Sequence, residues 1–240
     1  MPQARAIIFD LDGTLLDSLA DIADAMNRVL AGLKLPEHPR QAYRYMVGEG
    51  IATLVNRALP PTRRDAETQE TALAAMREEY GRNWRKQTLP YPRIPALLTT
   101  LNRRGITMAV LSNKPDEFTQ QAVRELLAPH RFAIVRGARA DTPRKPDPAG
   151  ALALAEELNL PPAEFLFVGD SGIDMQTAKR SGMFAIGVLW GFRPAEELRQ
   201  NGADALISTP PQLLEFLDEQ PPLSHGEHRI QSQHASFPVK

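Results

Sequence analysis

The sequence predicts an α/β protein in which an all-helical block is inserted after the first strand of a parallel-sheet core. Three observations carry that expectation. Ala6-Ile7-Ile8-Phe9 is a short apolar run without alternation, as in a strand buried on both faces. From Leu89 onward, short apolar runs alternate with helical stretches, the rhythm of βαβ units. Between them, residues 18–88 show helical patterns and no convincing strand.

In chain order, the first strand ends in Asp10-Leu11-Asp12-Gly13-Thr14. Leu19, Ile22, Ala23, Met26, Val29, Leu30 and Leu33 then recur at three- and four-residue spacing, an amphipathic helix with Asp17 or Ser18 as N-cap. Further helical stretches are expected over Arg40 to Met46, Ile51 to Leu59 and Arg63 to Lys86, separated by Gly48-Glu49-Gly50 and Pro60-Pro61. A helix from Ile94 to Arg104 follows, then a strand from Ile106 to Leu111 that delivers Ser112-Asn113, and a helix from Asp116 to Leu127. A strand near Phe132 to Val135 leads to a loop with Arg144-Lys145-Pro146 and a helix from Pro148 to Leu158. The strand Phe165 to Val168 ends in Gly169-Asp170, ahead of a helix closed by Ser181-Gly182, a strand Phe184 to Leu189, and a last pair at Ala205 to Ile207 and Pro211 to Asp218. The organisation is a core of residues 1–17 and 89–219, a helical insert of residues 18–88, and a polar, aperiodic tail of residues 220–240 expected to be disordered.

Composition narrows the function. Lys and Arg total 28 against 29 Asp and Glu, which gives no electrostatic reason to expect nucleic acid or an anionic membrane as partner. No apolar segment is long enough to span a bilayer and no signal-peptide pattern opens the chain, so a cytoplasmic location is expected. There is no cysteine, so a metal must be held by oxygen or imidazole. His38 and His130 fall in expected loops, and His225, His228 and His234 are read as chance residues of the tail.

Ligands of an open parallel sheet bind outside the carboxyl ends of its strands. Asp10 with Asp12, Ser112-Asn113, Lys145, and Asp170 with Asp174 all fall at such ends. Two carboxylates this close at one strand exit repel, and a divalent metal with oxygen ligands resolves the repulsion. Asp170 and Asp174, four apart on the first turn of a helix, face one side. With Asp10 they suit magnesium plus a substrate phosphate, while Lys145 adds positive charge. Thr14 and Ser112 offer hydroxyls, and Asn113 a backbone N–H, to the phosphoryl oxygens.

These stretches resemble the four motifs of the haloacid dehalogenase-like hydrolase superfamily: Asp10-x-Asp12-Gly13-Thr14, Ser112-Asn113, Lys145 in Arg-Lys-Pro-x-Pro, and Gly169-Asp170-Ser171-x-x-Asp174. Asp17-Ser18-x-x-Asp21-Ile22, Gly48-Glu49-Gly50, Ser112-Asn113-Lys114-Pro115 and Val188-Leu189-Trp190-Gly191 are similar to the phosphoglycolate phosphatase-like branch. That branch commonly has Pro-Gly where this chain has Pro92-Arg93. The resemblance implies a Rossmannoid core with a helical cap, and a magnesium-dependent phosphatase that acts on a small phosphorylated acid such as 2-phosphoglycolate. In it Asp10 is the nucleophile that forms an aspartyl-phosphate, and Asp12 is the acid and base. Asp12 is also implied as a metal ligand through its backbone carbonyl, with its side chain free and raised in pKa by neighbouring carboxylates. Arg44, Gly48, Glu49 and Arg57 are the insert residues expected to contribute specificity. The expected assembly is a monomer or homodimer.

Other readings remain open on the sequence. A sugar phosphate or nucleotide could be the substrate, and a β-phosphoglucomutase-like mutase would use the same aspartyl-phosphate. A dehalogenase is disfavoured because its resembling motif lacks the second aspartate. A receiver-like phospho-acceptor has no reason for an insert of about seventy residues.

Overall fold

The structure, a computed structural model, describes residues 4–217. The expected tail, with His225, His228 and His234, lies outside the described residues. Strand β1 (Ala6–Phe9) leads through a two-residue strand β2 (Leu16–Asp17) into helices α1 (Leu19–Gly32), α2 (Ile51–Ala58) and α3 (Ala66–Asn83), and the chain returns through β3 (Leu89–Pro90). Then α4 (Ile94–Arg103), β4 (Thr107–Pro115), α5 (Asp116–Leu126), β5 (Ile134–Ala138), α6 (Ala149–Glu157), β6 (Phe165–Gly169), α7 (Gly172–Ser181), β7 (Phe184–Val188), α8 (Ala195–Gln200) and β8 (Ala205–Ile207) alternate.

Six parallel strands lie in the order β5-β4-β1-β6-β7-β8. Ile7 and Phe9 of β1 enter one apolar cluster, and Ala6 and Ile8 enter another on the opposite face. Both faces are dry, which is why the run does not alternate. Because β1 pairs with β4 on one side and β6 on the other, the carboxyl ends of three motif-bearing strands lie side by side.

The insert is helical among its described residues. Helix α3 buries only Ala72, Met76 and Tyr80, a single stripe at four-residue spacing, and its main helical neighbour is α1, with Ile22, Met26, Val29 and Leu30 buried. Three expectations are corrected here. Arg40–Tyr45 is a 3-10 helix, not an α-helix, because Tyr43 is its only buried residue and there is no apolar stripe to hold a longer element. Helix α3 starts late, at Ala66, where the Asp65 carboxylate accepts from Thr68 N–H at 2.9 Å. Ser18 sits at the N-cap position of α1 without capping it, since its hydroxyl is bonded elsewhere. In the core, β4 runs on through Ser112–Pro115, β5 begins later than expected, and Pro210–Phe216 is a 3-10 helix.

The chain leaves and re-enters the core through one short antiparallel pair, with Leu16 opposite Pro90 and Asp17 opposite Leu89. The buried Asp21 carboxylate ties the start of α1 to this return, accepting from Gln87 N–H, Thr88 N–H and the Thr88 hydroxyl. Arg93, where the branch commonly has glycine, is exposed and left-handed, with φ of 71°. That conformation strains any residue with a Cβ. Arg93→Gly is expected to raise stability by about 0.5–1 kcal/mol, once glycine's larger unfolded-state entropy is set against the relieved strain. A urea midpoint that does not rise would show that Arg93 is not strained there.

Candidate active site

Strand β1 delivers Asp10 and Asp12, β6 and the first turn of α7 deliver Asp170 and Asp174, and the loop between β5 and α6 delivers Lys145. Ligand oxygens of Asp10, Asp170 and Asp174 all lie within 4.8 Å of one another, and all three residues are buried. The Lys145 ammonium sits between two of them, 2.8 Å from Asp10 Oδ1 and 2.7 Å from Asp174 Oδ1. Burial alone would lower the lysine's pKa, but the two carboxylates hold it above the ordinary range. Burial pushes the Asp10 carboxyl up; Lys145 opposes the shift and Asp174 adds to it. Asp170 is driven well above the usual carboxylate range by burial, then by Asp174 and Asp10.

Fully ionised, three carboxylates against one ammonium carry a net double negative charge, and without a further cation burial pushes Asp10 and Asp170 toward their neutral forms. The donors are all hard oxygens, so charge and chemistry both fit a divalent cation. Asp174 and Asp170 are also fixed from behind. Asp174 Oδ2 accepts from Ser171 N–H at 3.1 Å and from the Ser171 hydroxyl at 2.6 Å, closing a capping box at the start of α7. Asp170 accepts from the Thr14 hydroxyl at 3.3 Å and from Phe192 N–H at 2.7 Å. Gly13 and Gly191 leave room for it: a Cβ at Gly13 would meet Asp170 Oδ2 at 2.3 Å, and one at Gly191 would meet Asp170 Cβ at 2.2 Å.

The Asp12 carboxylate stands apart from this cluster. It accepts from Lys114 Nζ at 2.8 and 3.1 Å and from the Ser18 hydroxyl at 2.6 Å. The expectation that carboxylates surround it is therefore corrected: its partners are an ammonium and a hydroxyl. Asp10, Asp12, Ser112 and Asn113 open onto a cavity of about 60 Å³ whose far walls are Ile22, Val47, Ile51, Leu54, Met76 and Phe118.

A haloacid dehalogenase-like hydrolase family profile matches residues 7–188. The chain belongs to the haloacid dehalogenase-like hydrolases. It is 35% identical to a phosphoglycolate phosphatase of Pseudomonas putida over 78% of this chain and 70% of that one. It is 34% identical to a phosphoglycolate phosphatase of Aquifex aeolicus over 89% of this chain and 97% of that one. A crystal structure from Lactobacillus delbrueckii subsp. bulgaricus, provisionally described as a phosphoglycolate phosphatase, superposes with a TM-score of 0.84 at 29% identity, covering 92% of this chain and 100% of the other. The enzyme is thus a phosphatase-type hydrolase of the branch these proteins represent. No helix among the described residues is long and apolar enough to cross a membrane.

In this hydrolase several expected site residues are occupied in ways the motifs do not convey. Thr14 is fully buried, with its hydroxyl on Asp170 and its carbonyl accepting from Trp190 Nε1 at 3.0 Å, so it supports an acid and does not line the cavity. The Asn113 amide holds Lys145 reciprocally: its Nδ2 donates to Lys145 O at 2.9 Å and its Oδ1 accepts from Lys145 N–H at 2.9 Å. The same Nδ2 also donates to Gly48 O of the insert at 2.9 Å. Arg44 does not line the cavity, because its guanidinium donates to the carbonyls of Phe192 at 3.1 Å and Gly191 at 2.5 Å. Glu49 pairs with Arg57, which accounts for both charges, and Gly48 alone of the expected insert residues lines the cavity.

The residues that sequence reasoning passed over are Lys114, Tyr80 and Arg193. Lys114 is buried and donates to the Tyr80 hydroxyl at 2.7 Å as well as to Asp12. Burial opposes its charge, yet Asp12 and then Tyr80 hold its pKa above the ordinary lysine range. Two signals pointed to it, its place directly after Ser112-Asn113 at a strand end and its presence in the Ser112-Asn113-Lys114-Pro115 stretch that resembles the branch, but neither gave it a role. Arg193 donates to Val47 O at 2.9 Å and lies over the Tyr45 ring, and among the described residues its Nη1 has no hydrogen-bond partner.

Removing one member of a buried ion pair costs about 3–5 kcal/mol. Lys145→Met is therefore expected to lower stability by about 3 kcal/mol in a metal chelator and to be stabilised more than the native chain by an added divalent cation. Thermal unfolding in both conditions checks this. A variant as stable as the native chain would mean that the ammonium does not hold the acids together.

Proposed function

We propose that this enzyme hydrolyses a small phosphorylated acid such as 2-phosphoglycolate, through an aspartyl-phosphate on Asp10 and with magnesium as cofactor. The observation that carries the reading is the division of carboxylates around the end of β1: Asp10 is clustered with Asp170 and Asp174 about one ammonium, and Asp12, which lines the same cavity as Asp10, is held apart on Lys114 and Ser18. The names of the similar Pseudomonas and Aquifex enzymes support the substrate.

Asp10, Asp170 and Asp174 would hold magnesium, with the Asp12 carbonyl as a further oxygen ligand. When bound, the ion offsets charge on the phosphoryl oxygens. A carboxylate oxygen of Asp10 attacks phosphorus as the bond to the leaving oxygen breaks, and Asp12 gives that oxygen its proton. Water then attacks the aspartyl-phosphate, Asp12 takes its proton, and phosphate leaves with Asp10 restored. Lys145, the Ser112 hydroxyl and the Asn113 N–H bind the phosphoryl oxygens, with Lys145 also keeping Asp10 in place. The helical insert, residues 18–88, acts as a cap that keeps water out and admits only a small leaving group.

The test is phosphate release from 2-phosphoglycolate, sugar phosphates and nucleotides, with magnesium and with chelator. Release that needs magnesium, ranks 2-phosphoglycolate first and is abolished by Asp10→Asn is the expected result. Isomerised sugar phosphate without free phosphate would overturn hydrolysis. Asp12→Asn is expected to lose at least about 100-fold in kcat while keeping magnesium affinity, read by thermal shift. Equal loss of magnesium affinity in both variants would refute the separate roles.

A further inference from the structure

The proposed reaction explains Asp12 but leaves unexplained why its partner is a buried lysine that itself faces the cavity. Of the described residues lining that cavity, Lys114 is the only cation. The walls around it are apolar, from Ile22, Leu54, Met76, Pro115 and Phe118, and the hydroxyl of Tyr80 is the other polar group at this end. Already paired with the Asp12 carboxylate, the ammonium presents to the cavity the positive end of an ion pair, which in an apolar wall favours an anionic group over a neutral one. The ammonium has three N–H bonds, which the Asp12 carboxylate and Tyr80 share. Because Lys114 lies beside Asp12, a negative group one carbon from the leaving oxygen falls beside the ammonium when Asp12 reaches that oxygen.

Size agrees with this placement. At about 10–15 Å³ for each water-sized position, a cavity of about 60 Å³ holds about four to six such positions, which favours a compact ester. The other nearby cations do not line the cavity: Lys145 is on Asp10 and Asp174, Arg44 is on core carbonyls, Arg57 is on Glu49, Arg193 reaches Val47 O, and Arg144 is exposed beside Gly50.

We propose that Lys114, with the Tyr80 hydroxyl, is the specificity determinant of this enzyme, binding a carboxylate carried one carbon from the leaving oxygen. The proposal rests on the phosphatase reading above. It goes further in assigning recognition of the acid to a core-strand lysine and a tyrosine of the insert, not to the insert's arginines.

The experiment compares kcat/KM for 2-phosphoglycolate and for two phosphomonoesters without the carboxylate charge, one larger and one smaller: its carboxylate methyl ester and ethyl phosphate. The native enzyme should prefer the acid by about 100-fold, the scale of a charged hydrogen bond in a desolvated site. Lys114→Gln should erase most of that preference, lowering 2-phosphoglycolate more than the two uncharged esters. Tyr80→Phe keeps the ring that packs against Phe118, and should lower the preference about 3-fold or more even where Lys114→Gln fails to fold. Arg144→Gln should leave it unchanged. Equal losses on all three esters would make Lys114 a support for Asp12 alone and overturn the proposal. So would an unchanged preference in Tyr80→Phe, or its loss in Arg144→Gln. Native release from all three esters without preference would overturn it while leaving phosphatase chemistry intact. Release from none would remove the phosphatase reading itself.

Discussion

The arrangement depends on one buried ammonium held between two buried carboxylates. Lys145 bridges Asp10 and Asp174, and it opposes without cancelling the upward push that burial gives the Asp10 carboxyl. A group so placed must be positioned from its backbone, since an ammonium on a four-carbon stem has little rigidity of its own. Asn113 supplies that restraint by bonding both polar groups of the Lys145 main chain. The adjoining β1 and β4 thus cooperate. One presents the acid, and the other holds the peptide of the lysine that answers it.

The same economy ties the site to the helical insert. Asn113 also donates to Gly48, so a change in its amide is felt by both the lysine and the insert. The loop after β7 makes a second tie. Its Phe192 N–H bonds Asp170, while its carbonyls at Gly191 and Phe192 accept from Arg44 and its Arg193 reaches back to Val47. Gly191 has to be glycine for this loop to approach Asp170 so closely. Two arginines therefore cross between core and insert in opposite directions, and both end on backbone carbonyls, those that Arg44 reaches lying in the loop that bonds Asp170.

The cavity has two chemically different kinds of lining. Asp10, Ser112 and Asn113 suit a phosphoryl group. Apolar side chains accompany Asp12, Lys114 and Tyr80 in the rest of the wall. A site that handles phosphate through the core and the remainder of the ester through a small, mostly apolar chamber selects by size as well as by charge.

The sequence by itself determined the α/β architecture, the helical insert and the convergence of Asp10, Asp170, Asp174 and Lys145. Those follow from local periodicity and from the rule that strand ends in a parallel sheet gather on one edge, and both are written in short stretches of chain. The resemblance marked Pro92-Arg93 as a departure from the branch, but the left-handed backbone of Arg93 came only from the structure. Only the tertiary structure decided which side chains meet: Lys114 with Asp12 and Tyr80, Thr14 with Asp170, Arg44 with core carbonyls, Ser18 with Asp12 in place of a helix cap. Most of these partners are distant in sequence, and their identity depends on how the insert packs onto the core. Spacing along the chain can place a polar residue at the mouth of a site, but the group that takes up its charge is chosen by the surfaces that close around it.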